Sequence, residues 1–216
     1  MMKRAIYLKK VSMTSLIDEN GKIYPVTVLK HIDQDILDIK TKEQHGYNAV
    51  RYIYGAVNVK KINKSKASYF KKQKKEPKKY ISEIRLDNSS YDEIINIRND
   101  KEGLNQFLTL DAFEKNDTVS VTGKSKGKGF QGTIKAHGFH RGPMSHGSKN
   151  HRLPGSIGAG TDPARVFKGT KMAKRLGNKN VTIKNLEIIK VDKEKNFVYL
   201  KGAIPGKSND LILMYK

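Results

Sequence analysis

The chain has no cysteine, which excludes a disulfide framework, a thiolate metal site and a cysteine nucleophile. Long apolar runs are missing as well. The N-terminal stretch MMKRAIYLKKV is basic, but Lys9 and Lys10 interrupt it before it reaches the length of a signal-peptide core. No segment approaches the length of a membrane span, so a soluble, non-exported protein is expected. Acidic residues are scarce: 21 Asp and Glu stand against 43 Lys and Arg, a formal net charge of +22. A folded domain at that charge repels itself unless a polyanion offsets it, and ordinary surfaces mix both signs. The expected partner is therefore nucleic acid or an anionic membrane surface.

The 216 residues, 37% of them hydrophobic, suffice for a sizeable core and one or two domains. Short runs rich in Ile, Val and Tyr recur between turn signals. Ala5–Val11, Ile23–Ile32, Ile36–Ile39, Tyr47–Tyr54, Tyr80–Leu86, Thr118–Val121, Val181–Ile183, Leu186–Val191, Phe197–Leu200 and Leu211–Tyr215 read as strands. Val191–Phe197 reads as a hairpin and Pro205-Gly206 as a turn. Helical pattern is confined to Ser65–Gln73, with Ser65 as its cap, and Lys171–Leu176. Many short strands with few short helices predict a mainly β fold built on a β-barrel. Between two strand candidates, Lys60–Lys79 holds ten lysines and one acid, Glu76. Such a run is commonly a solvated or disordered tail, but its internal position makes a phosphate-contacting arm an equal alternative.

The segment VTGKSKGKGFQG contains Gly127-Lys128-Gly129-Phe130-Gln131-Gly132, a match to the dinucleotide pattern G-x-G-x-x-G. That fingerprint requires a strand before it, a helix opening at the third glycine and an acid about 20 residues on. The strand is there, as Thr118–Val121. No helix is expected, because Thr133-Ile134-Lys135-Ala136 runs into Gly138, Gly142 and Pro143, and the next carboxylate is Asp162. Gly123-Lys124-Ser125 fails equally as the end of a nucleotide-hydrolase loop, since position 118 is Thr. Residues 121–180 carry thirteen Lys and Arg against Asp162 alone, and twelve of the eighteen glycines. Glycine beside lysine lets the backbone approach a phosphate while the ammonium neutralises it. His137, His140, His146 and His151 lack Cys or acidic companions for a metal site, and suit stacking on bases or bonding to RNA. Ser145-His146 has no carboxylate to orient a base. The segment is expected to bind rather than to catalyse.

The runs TGKSKGKGFQGTIK, SHGSKNHRLPGSIG, VFKGTKMAKRLGNKNVTIKNLEIIKVD and LKGAIPG, with Lys9-Lys10-Val11-Ser12-Met13-Thr14 and Pro25-Val26-Thr27-Val28 near the start, closely resemble the family of the third protein of the large ribosomal subunit in its bacterial form. The resemblance implies a β-barrel body formed by residues 1–124, with a Lys-rich arm at 60–79, and by residues 168–216. It also implies a finger, 125–167, reaching through ribosomal RNA toward the peptidyl transferase centre. The innermost tip would be Gly155, Ser156, Ile157, Gly158, Ala159, Gly160, Thr161, Asp162 and Pro163. Implied partners are large-subunit ribosomal RNA, bound early in assembly, and neighbouring large-subunit proteins. No catalytic role, membrane, small-molecule substrate or cofactor is implied; structural magnesium would belong to the RNA. The implied location is the ribosome, in a bacterial cytoplasm or an organelle of bacterial descent.

Expected phosphate contacts are Lys124, Lys126, Lys128, Lys135, Arg141, Lys149, Arg152, Arg165, Lys168, Lys171, Lys174 and Arg175. His137, His140, His146 and His151 are expected to contact the RNA, and Gly127, Gly129 and Gly132 to permit close backbone approach. Departures from the family pattern are Ser12 for glycine, Ser120 for Asp or Asn, and Ala136 for arginine. Thr161 stands where many bacterial members carry a glutamine that becomes methylated, so that modification is not expected here. Asp162, an acid near the tip, is expected either to pair with Arg165 or to hold a metal ion against the RNA.

Overall fold

A computed structural model describes residues 4–18, 20–58, 60, 62–85 and 108–216. The chain divides into two compact units, Met1–Lys124 with Val181–Lys216, and Ser125–Asn180.

In the first unit, β1 (Ala5–Ile17) and β2 (Ile23–His31) form an antiparallel hairpin from Ile17 opposite Ile23 to Leu8 opposite His31, with a bulge between Lys10 and Ser12. Gly21 closes the turn at φ 73°, a left-handed conformation that glycine adopts without strain. The other edge of β1 pairs with β11 (Leu211–Tyr215), and β11 with β6 (Thr118–Lys124). Next come β9 (Asn180–Asp192) and β10 (Phe197–Lys201), and β10 returns to β2. The result is a closed ring in the order β1-β11-β6-β9-β10-β2.

Side chains alternate across a strand, and the ring uses that period. Ile6 and Leu8, Val119 and Val121, Val198 and Leu200, and Ile212 and Met214 point into one core with Leu29, Ile188 and Phe113. Burying each such side chain contributes roughly 1.5–3 kcal/mol. Lys10 is buried too; its Nζ donates to the carbonyls of Ile204 (2.8 Å) and Gly206 (3.0 Å) and so fastens the Pro205-Gly206 turn to β1.

A second sheet in this unit has the order β3 (Gln34–Lys40), β4 (Ala49–Tyr54), β5 (Tyr80–Arg85). Between β3 and β4 lies the single turn α1 (Lys42–His45), started by Thr41 and ended by Gly46 at φ 80°. The nine-residue α2 (Lys64–Lys72) precedes β5. β4 is buried on both faces: Val50, Tyr52 and Tyr54 pack with Tyr7 and Ile36, while Ile53 packs with Leu37 and Phe70 of α2. The rings of Tyr7 and Tyr54 stack at 4.0 Å. Burial pushes the Tyr7 phenol up to about 12.

The mainly β class expected from the sequence is the class observed. Several boundaries differ for physical reasons. Val181–Ile183 and Leu186–Val191 are one strand, β9, because Asn185 takes φ 58° and passes through the polar break without ending the ladder. β1 runs to Ile17: Ser12–Ser15 lack strand composition but pair with Pro25–Val28. The cap of α2 is Asn63, not Ser65, whose N–H it accepts at 3.4 Å. Lys171–Leu176 is not helical; Lys174–Arg175 instead forms strand β8, held by its antiparallel pairing with Phe130–Gln131. The Val191–Phe197 hairpin is present, with Asp192 accepting from the Lys195 N–H at 3.0 Å. Leu86 of the Tyr80–Leu86 expectation and Lys61 of the Lys60–Lys79 run lie outside the described residues.

Candidate nucleic-acid interface

The second unit begins as a two-limbed ribbon. Ser125–Gln131 runs antiparallel to Lys174–Lys179, with β7 (Phe130–Gln131) paired to β8. Further backbone bonds run from Ser125 N–H to Lys179 (2.9 Å), from Lys128 N–H to Leu176 (2.9 Å) and from Leu176 N–H to Gly129 (2.9 Å).

The third glycine of the G-x-G-x-x-G match does open a helix, contrary to the sequence expectation. Gly132 is the cap of α3 (Thr133–His137). That helix has five residues and stops at Gly138, φ 75°. The strand before it belongs to an antiparallel ladder, not to the parallel β-α-β unit a dinucleotide site requires. The glycines whose backbones are packed tightest are others. A Cβ on Gly177 would lie 2.0 Å from the Lys126 carbonyl oxygen, and one on Gly142 1.8 Å from that of Asn150. Sequence reasoning missed both, because a close backbone approach between residues that are not sequence neighbours leaves no local signal. Gly129 takes φ 69°, whereas Gly127 would make only an ordinary 3.4 Å contact and Gly132 none.

Thr133 is the single buried residue of Ser125–Asn180. Phe130 (70% exposed), Leu153 (65%) and Phe167 (58%) have no apolar core to enter. Lys124, Lys126, Lys128, Lys135, Arg141, Lys149, Arg152, Arg165, Lys168, Lys171, Lys174 and Arg175 are all exposed. Among the described residues every ion pair lies in the first unit, so none of the second unit's cations is neutralised by an acid of the chain. Isolated cations of this density are what counterion release on a polyphosphate requires.

The histidines divide. His137 Nε2 donates to the Met172 carbonyl and His151 Nδ1 to that of Pro143, both at 2.9 Å, so one ring nitrogen of each shapes the chain. His140 and His146 are exposed. Among the described residues no three His, Asp or Glu side chains converge as metal ligands. Gly155 through Asp162 are exposed and Pro163 is half-buried. The alternative that Asp162 pairs with Arg165 is not realised: the Arg165 guanidinium lies over the Phe167 ring, 5.7 Å from its centroid. No helix among the described residues is long and apolar enough to cross a membrane.

Comparison with known proteins agrees with the runs quoted above. The profile of the family described as "Ribosomal protein L3" matches residues 37–196. "Large ribosomal subunit protein uL3c" of Gracilaria tenuistipitata var. liui is 43% identical over 215 residues, covering 100% of both chains. "Large ribosomal subunit protein uL3" of Carboxydothermus hydrogenoformans is 43% identical over 213 residues, covering 99% of this chain and 97% of the relative.

Proposed function

The chain belongs to the ribosomal protein L3 family, and from that premise we propose that it is a structural, non-enzymatic constituent of the large ribosomal subunit, located in the ribosome, whose second unit binds large-subunit RNA. One observation carries the RNA assignment: Ser125–Asn180 combines a dense set of unpaired cations with almost no buried side chain. A segment built this way gains its ordering from a partner, and its charge selects a polyphosphate. The phosphate contacts are the exposed Lys and Arg named above. The histidines that keep a ring face or nitrogen toward solvent, His140 and His146, bond or stack on nucleotides. Gly155–Pro163 forms the tip directed toward the peptidyl transferase centre, where it supports the geometry of catalytic RNA without taking part in the chemistry. Binding occurs early in subunit assembly, while the RNA helices that enclose the segment are still open. Neighbouring ribosomal proteins are the other partners, and no small-molecule cofactor takes part.

The test is reconstitution of the full chain on large-subunit RNA across a salt titration. Replacing Lys126 and Lys128 by Ala is expected to weaken binding and to flatten the logarithmic salt dependence by about 0.7–0.9 per lost phosphate contact. Unchanged affinity and slope would remove both residues from the interface. Failure of the chain to sediment with large subunits in high salt would overturn the assignment as a whole.

A further inference from the structure

The lysine-rich segment around α2 is not accounted for by the second unit, and geometry sorts its cations into two kinds. Lys75 Nζ bonds Asp35 at 2.7 Å and Lys78 pairs with Asp33. With Phe70, 1% exposed, and the contact of Tyr69 with Arg51 and Asp38, these pairs pin the segment to β3 and β4. Lys60, Lys64, Lys66, Lys71, Lys72 and Lys79 face solvent and form no ion pair among the described residues. A helix fastened by one set of lysines therefore presents another set outward in fixed positions.

Two of the outward set, Lys66 and Lys79, stand at a cleft of about 610 Å³ with an apolar lining of Ala56, Val57 and Ile62. Asn58 and Asn63 line it as well. Their side-chain oxygens accept from the N–H groups of Lys60 (3.1 Å) and Ser65 (3.4 Å), which leaves both amide NH2 groups to donate. Lys79 Nζ also lies 5.1 Å from the centroid of the Tyr80 ring. Lining cations, apolar side chains and amide donors match the three parts of a nucleotide: phosphate, base face and base edge.

We propose that this cleft is a second RNA contact, separate from Ser125–Asn180, that receives an unpaired nucleotide of the large-subunit RNA. Lys66 and Lys79 hold its phosphates while the base lies against Ala56, Val57 and Ile62. Lys78 is excluded from that role by its pairing with Asp33. The identity of the RNA rests on the functional reading above; the site itself rests on the cleft and its lysines.

Absence of native cysteine allows a single probe to be placed in the full chain. A hydroxyl-radical-generating iron chelate is attached to Ser68→Cys on α2, or to Ser145→Cys in the second unit, and each protein is bound to large-subunit RNA. Discrete strand cuts are expected from both, in different RNA segments. The Lys66→Ala, Lys79→Ala double variant, unprobed, is expected to reduce the salt slope of binding by about 1.4, from ~0.7 per contact to a single strand. Cuts from the Ser145→Cys probe with none from Ser68→Cys would overturn the second site while leaving the main reading intact. So would an unchanged slope in the double variant. No cuts from either position would overturn both readings.

Discussion

Gly177 and Gly132 share a side chain and have opposite tolerances. At Gly177 the backbone is left-handed, φ 76°, and the opposite limb lies within 2.0 Å of any Cβ. Gly177→Ala is expected to open the ribbon, seen as faster amide exchange at Lys128 and Leu176 and weaker RNA binding. Gly132→Ala, at φ −67° with open space around it, is expected to leave that amide exchange unchanged. Both letters look alike in a glycine-rich sequence; the left-handed backbone at Gly177 and its distance to Lys126 separate them. A second residue-scale case is His31. Its Nε2 lies 2.7 Å from the Leu108 carbonyl oxygen and 2.9 Å from Gln34 Nε2. Burial holds the imidazole below its ordinary 6.5, against the raising effects of Leu108 and Asp33. The unfolded chain then takes up the proton first, so stability is full above 6.5 and falls as pH drops below it. Denaturant midpoints for His31→Gln are expected to lose that fall. Glu83, held below its ordinary value by its bond to Lys40, contributes throughout this range and is lost only in stronger acid.

At the scale of elements, α2 shows what composition hides. A helix over Ser65–Gln73 is legible in the sequence, but the docking of its one buried residue is not. Phe70→Ala removes the contact with Leu37 and Ile53 and is expected to cost about 3–5 kcal/mol in chemical denaturation. Substituting exposed Lys71 instead is expected to leave stability within about 0.5 kcal/mol. The same limit explains Lys171–Leu176. Its residues favour a helix when counted singly, yet a ladder to Phe130–Gln131, more than forty positions earlier in the chain, decides its conformation. β9 carries the reverse lesson, since a locally broken pattern is held continuous by neighbours on both sides of the ring.

For the molecule as a whole, the two units differ in what stabilises them. The first has its own core, from Ile6 and Leu8 to Ile212 and Met214. The second buries Thr133 alone and exposes Phe130, Leu153 and Phe167. In the free chain, amides of Ser125–Asn180 are therefore expected to exchange much faster than those of the ring, and to become protected on binding large-subunit RNA. Equal protection in both units without RNA would refute this. The sequence by itself determined the mainly β class and the family, and it carries the expectation of a polyanion partner, because period-two apolar runs, charge imbalance and motif runs are local or additive properties. Only the tertiary structure decided which glycines are sterically required, which lysines pin α2 and which remain outward, and that the third glycine of G-x-G-x-x-G opens just one short turn of helix. Those outcomes depend on contacts between segments far apart in the chain, and no window of sequence contains both partners.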